Sequence, residues 1–124
     1  MFVVEADTTR QLLVLSIAGT VTVEESRETV ARVCEKLQEM EPGFVALIDF
    51  RWLESMAPAA AAPIAEIMDA FAAKKVSAVV RVMPDRTKDI GLNILSPFHY
   101  GPDVRVMTFE TLADAIQALA RDQQ

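Results

Sequence analysis

Along the first twenty residues, Phe2, Val4 and Ala6 alternate with Val3, Glu5 and Asp7, and the turn-forming stretch Asp7-Thr8-Thr9-Arg10 separates them from a second apolar run, Leu12 to Ala18. Two alternating runs flanking a short polar turn predict an antiparallel hairpin. Gly19 breaks the second run. Thr22 followed by Glu25 has the spacing of a capping box, in which hydroxyl and carboxylate satisfy each other's orphan backbone N–H groups, so a helix is expected from about Val23 to Met40. Val23, Val30, Val33, Cys34 and Leu37 make its apolar stripe, with Glu24, Glu28, Arg32, Glu35 and Glu39 mainly off it. Pro42-Gly43 closes it.

Phe44 to Phe50, FVALIDF, is continuously apolar up to Asp49, the composition of a strand buried on both faces of a parallel sheet. Such a strand needs a crossover, and the alanine-rich segment from about Ala59 to Ala73 supplies a helix with Ile64, Ile67, Met68 and Phe71 at helical spacing. Pro58 and Pro63 fit only if regular helix starts near Ala60, with Pro63 in the first turn, where a missing N–H costs little. Next come a strand from Val76 to Met83, a short helix from Arg86 to about Ser96 capped by Asp85, a strand from Val104 to Thr108 and a helix from Glu110 to Ala120. The order ββαβαβαβα predicts a single α/β domain over 1–124. Its sheet is mixed, five-stranded and largely parallel, and the N-terminal strand is antiparallel at or near an edge.

Alternation assigns Leu13, Leu15, Ile17, Ala46, Ile48, Phe50, Val76, Ala78, Val80, Val82, Val104 and Val106 to one uniformly apolar sheet face. The other collects Leu12, Val14, Ser16, Val45, Leu47, Asp49, Ser77, Val79, Arg81, Met83, Arg105 and Met107 and is mixed. Two readings of that mixed face stand: a partly covered contact surface ringed by charge, or a face covered by the first or last helix wrapping around.

Composition changes the picture chiefly by exclusion. At 124 residues and 52% hydrophobic, the chain has core enough to fold without disulfides or a structural metal. A net charge of −6 disfavours nucleic-acid binding, which draws its affinity from neutralised phosphates. One cysteine suits a reducing cytoplasm, and neither a basic leader nor an uninterrupted membrane-spanning run is present. Gly19, Gly43, Gly91 and Gly101 are too dispersed for a glycine-rich phosphate loop. One histidine, His99, and one cysteine, Cys34, build no zinc array in a single chain, and Cys34, on the apolar stripe, reads as a small buried hydrophobe. No metal, cofactor or catalytic residue is expected.

Candidate binding chemistry is confined to a few positions. Asp49 closes an apolar strand at the sheet's carboxyl edge, where open α/β folds bind ligands; capping the next loop is its plainer role. Five basic residues, Lys74, Lys75, Arg81, Arg86 and Lys88, stand against Asp85 alone between 74 and 88. Arg86 and Lys88 open a helix whose N–H groups attract anions, although Asp85 competes for that end. His99 and Tyr100 sit in the longest loop, next to Phe98, and loop packing explains them as readily as binding. Trp52, in Arg51-Trp52-Leu53-Glu54-Ser55-Met56, lies just past a strand end and suits either a partly exposed interaction anchor or packing under the loop.

The element order, with Ile48-Asp49-Phe50 leading into the second helix, resembles the STAS domain of anti-sigma-factor antagonists and its SpoIIAA-like relatives over nearly the whole chain. That resemblance implies a bacterial, cytoplasmic, non-enzymatic regulatory module that binds another protein or itself, as a homodimer, through the second-helix entrance at Trp52, Ser55, Met56 and Pro58. In phosphorylated members an Asp-Ser-Ser-Gly-type segment begins that helix and its serine is modified by a partner kinase. The matching positions here are Ala57, Pro58, Ala59 and Ala60, so the resemblance implies the scaffold without its switch. Ser55, the nearest hydroxyl, reads as a cap or turn residue. A related branch, the CRAL-TRIO lipid-binding domains, cradles an apolar ligand, but this chain has none of their extra helices. The basic residues support the alternative: a sensor or carrier of a small anionic or amphipathic ligand. In that reading Asp49, Arg81, Arg86 and Lys88 line the site and His99 and Tyr100 close it.

Overall fold

The computed structural model describes residues 1–84 and 100–122. Strand β1 (Phe2–Asp7) runs antiparallel to β2 (Leu12–Val21), as the alternation predicts, with an unbroken register from Phe2 opposite Ile17 to Asp7 opposite Leu12. The turn between them is closed by the Asp7 carboxylate, which accepts from the Arg10 backbone N–H at 3.1 Å. Gln11, at φ 52°, donates from its side chain to the Thr8 carbonyl at 2.8 Å.

Helix α1 (Val23–Leu37) begins where the capping residues place it. The Thr22 hydroxyl accepts from the Glu25 N–H at 3.1 Å, but the box is only half made: the Glu25 carboxylate turns instead to the Met1 amino group at 2.7 Å. Cys34 is exposed, which corrects its assignment to the buried stripe. The burial of Ser26, Thr29, Val33 and Leu37 rotates the contact face away from it, because Ser26 and Thr29 satisfy their hydroxyls on the helix's own carbonyls at 2.7 Å and so bury at little cost.

Strand β3 (Val45–Met56) is parallel to β2 and outruns the expected end at Phe50 by six residues. A 3-10 turn (Pro58–Ala60) then leads into α2 (Ala61–Ala73), with Pro63 in its first turn as its missing N–H requires. Strands β4 (Ala78–Val82) and β5 (Arg105–Phe109) follow, and α3 (Leu112–Asp122) is the last described helix. The sheet order is β1-β2-β3-β4-β5, parallel except for β1 at its edge. The short helix expected from Arg86 to Ser96 lies outside the described residues.

Helices α1 and α2 cover one face. Leu13, Leu15, Ile17, Ala46, Ile48 and Phe50 pack there with Val33, Leu37, Ile67, Met68 and Phe71, and the Phe44 and Phe71 rings meet edge to face at 6.0 Å. Helix α3 covers part of the other face, where Ala115 and Leu119 pack on Leu47, Val80 and Val82. The structure reverses the expected phase of β4: Val79 joins the α1–α2 core, and Val80 and Val82 lie under α3. The registers Ala46 opposite Val79 and Ile48 opposite Arg81 fix this. Neither reading of the second face holds alone, since α3 screens the β4–β5 side while Val3 on β1 remains 49% exposed.

Candidate functional site

Two bulges shape the end of β3. Ser16 pairs with Asp49 but Ala18 with Trp52, and Gly19 pairs with Leu53 but Thr20 with Ser55, so β3 carries an extra residue at each step. An extra residue interrupts the alternation of faces. As a result Phe50 and Leu53 are both buried in the α1–α2 core, while Arg51 and Trp52 between them both reach solvent. Trp52 is 65% exposed.

Asp49 holds this outward pair in place. Its carboxylate is buried and accepts four hydrogen bonds from Arg51: from the backbone N–H at 2.9 Å, from Nε at 3.0 and 3.1 Å, and from Nη2 at 2.9 Å. A fork of this kind fixes the guanidinium plane as well as its position. Hydrogen bonding to Asp49 pushes the Arg51 pKa up, against the opposing effect of desolvation. The guanidinium carbon then lies 5.6 Å from the centroid of the Trp52 ring, within cation–π range. Asp49, Arg51 and Trp52 therefore form one unit, in which a buried acid orients a cation and the cation sits over an exposed indole.

Around this unit, Ser55 and Pro58 are exposed and Met56 is half-buried against the core. Ser55 corrects an expectation: it is neither a cap nor a turn residue, because its hydroxyl donates across the sheet to Thr20 Oγ1 at 3.2 Å and it belongs to β3. The 3-10 turn starts at Ala57 with no side-chain cap, and the fixed ring of Pro58 supplies its first position.

Arg81 and Tyr100 come together elsewhere. Both are buried, on the α1–α2 side, and with Leu15, Ile17, Ile48, Phe50, Ile64, Ile67 and Met68 they border a cavity of about 30 Å³. That volume suits a water molecule or two rather than an amphipathic ligand. Arg81 Nε donates to Thr108 Oγ1 at 3.1 Å. Burial raises the Tyr100 pKa, partly offset by the positive charge of Arg81. Asp49 and Arg81, expected to serve one ligand, are on opposite faces of the sheet, since Ile48 and not Asp49 is the register partner of Arg81. Arg86, Lys88 and His99 lie outside the described residues. No cluster of three His, Cys, Asp or Glu side chains able to hold a metal occurs among the described residues. Among those residues no helix is long and apolar enough to cross a membrane.

Sequence reasoning missed Arg51. The signal was present, because residues two apart on a strand share a face, and Asp49 and Arg51 are such a pair of opposite charges. The bulge that swings Trp52 to the same side is a property of strand pairing, and no residue in Arg51-Trp52-Leu53 announces it.

No family model matches the chain, and no curated protein does. Solved structures match it along almost its whole length. An uncharacterized protein of the DUF3478 family with a SpoIIAA-like fold, from Shewanella loihica PV-4, aligns at TM-score 0.71 and 19% identity, covering 95% of this chain and 93% of the other. The anti-sigma factor antagonist SpoIIAA in its unphosphorylated form aligns at TM-score 0.66 and 17% identity over 97% and 98%. An anti-sigma factor antagonist from Mycobacterium paratuberculosis gives 0.62 and 16% over 97% and 93%. The chain thus has the α/β SpoIIAA-like fold, with its mixed, mostly parallel five-stranded sheet.

Proposed function

We propose that this chain is a cytoplasmic, non-enzymatic interaction module, which docks another protein through the bulged end of β3 and the entrance to α2. The exposed Trp52 under the fixed Arg51 guanidinium carries this reading. Large aromatic and arginine side chains dominate binding energy at protein interfaces, and a pair held rigid before binding loses little conformational freedom on docking. Likeness in fold to anti-sigma factor antagonists supports a protein as the occupant. Alanine and proline stand where the resemblance puts the phosphoacceptor segment, at Ala57, Pro58, Ala59 and Ala60. The module accordingly works without that serine switch, and its docking surface is permanently available. The test is Trp52→Ala: association is lost and the thermal melt stays where it was. A variant that unfolds would make Trp52 a structural residue and end the reading.

A further inference from the structure

The outer edge of β1 is built to accept another strand. Met1 and Ala18 exchange both backbone hydrogen bonds, at 3.1 and 2.8 Å. In an antiparallel ladder such pairs alternate with pairs whose backbone groups point away. The unbroken register from Phe2 to Asp7 therefore turns the N–H and C=O groups of Phe2, Val4 and Ala6 outward, and among the described residues no strand pairs with that edge. Edges are ordinarily blunted by proline, by charged side chains, lysine above all, or by a bulge. Phe2–Asp7 has no proline, lysine or bulge, and its two charges, Glu5 and Asp7, belong to residues whose backbone groups point to β2. Beside it runs an open groove of about 630 Å³, bordered by Phe2, Val3 and Val4 of β1 and by Glu28, Ala31 and Arg32 of α1.

We propose that this edge joins a second copy of the same chain, β1 against β1 in antiparallel pairing about a two-fold axis at Val4. Centred there, Val4 pairs with its own counterpart and Phe2 with Ala6 of the other copy, so all the outward groups of the strand are satisfied at once. Glu5 then faces Val3 and Asp7 faces Met1, so no like charges meet directly across the junction. The same axis brings the two α1 helices together antiparallel above the strands. In an isologous contact position i of one copy meets position j of the other and j meets i, so with the axis level with Val30, Glu28 of each copy meets Arg32 of the other. Among the described residues, the ion pair that competes with it is the exposed Arg32–Glu35 contact at 3.8 Å. This self-complementary charge favours a second copy over an unrelated extended peptide, which would have no reason to match Glu28 and Arg32 twice. The surface is independent of Trp52, which lies on β3 and reaches solvent on the side opposite its buried neighbour Leu53.

Sedimentation velocity across a concentration series, together with amide hydrogen exchange, tests the proposal. A dimer is expected at high concentration, with the Phe2, Val4 and Ala6 amides gaining protection as it forms. Glu28→Arg and Arg32→Glu should each give a monomer with an unchanged melt, and the double variant Glu28→Arg/Arg32→Glu should restore the dimer. Ala6→Pro, which removes an outward N–H without touching the β1–β2 ladder, should also give a monomer; if it fails to fold, the charge-reversal set decides. A wild type that stays monomeric at every concentration, including one whose β1 amides are protected only by an added peptide strand, overturns the proposal. So does a dimer indifferent to both single charge reversals.

Discussion

Asp49 and Arg51 are bound to each other through three side-chain hydrogen bonds of 2.9 to 3.1 Å, although the first is buried and the second reaches solvent. The pair links the interior of the sheet to its surface, and the position of Trp52 follows from it. Asp49→Asn removes the charge that fixes the fork while keeping the shape. A stacked cation at an exposed ring is worth about 0.5–1 kcal/mol, so partner affinity is expected to fall roughly two- to fivefold. Titration of the partner against both proteins measures this.

Trp52 is the single tryptophan and is largely exposed, so its emission reports the docking surface and not the core. Its fluorescence maximum is expected to move little on unfolding in urea, while the circular dichroism of the same samples collapses. A large red shift on unfolding would place the indole in a dry environment.

Tyr100 is the single tyrosine, and its burial raises the phenol pKa. A group whose folded pKa lies above its unfolded value contributes stability that is complete below the unfolded value, about 10 for tyrosine, and is lost as pH rises toward the folded one. Tyrosinate absorbance is therefore expected to appear only together with alkaline unfolding. Above about pH 10 the wild type should lose stability relative to Tyr100→Phe.

Phe71 is fully buried between α2 and the sheet, its ring edge to face with that of Phe44. Phe71→Ala is expected to cost about 3–5 kcal/mol through lost burial and the cavity left behind, read from urea denaturation. Cys34, by contrast, is exposed, and native protein should react with a thiol reagent in full without denaturant.

Most of the architecture was legible where one side of an element is wet. The hairpin, the Thr22 cap and the proline-delayed start of α2 all leave local marks in the sequence. The phase of β4 was not legible, because Ala78, Val79, Val80, Arg81 and Val82 are all buried and alternation carries no information on a strand covered on both faces. Only the pairing with β3 sets it. The end of β3 was hidden for the opposite reason: Arg51-Trp52-Leu53-Glu54-Ser55 is polar enough to read as a loop, yet it stays extended by pairing with the long end of β2 beyond β4's last residue. Trp52 was legible as a candidate anchor and Asp49 and Arg51 as opposite charges two apart, whereas the bulge that brings all three to one side needed the structure.

The most direct measurement is a parallel capture experiment in which wild type, Trp52→Ala and Ile116→Ala are immobilised at equal density and their bound proteins compared by quantitative mass spectrometry. Ile116 is a comparable exposed apolar residue, at 52%, on α3. The account predicts a partner held by wild type and Ile116→Ala and lost from Trp52→Ala, with all three melting alike. Equal retention by wild type and Trp52→Ala would contradict it.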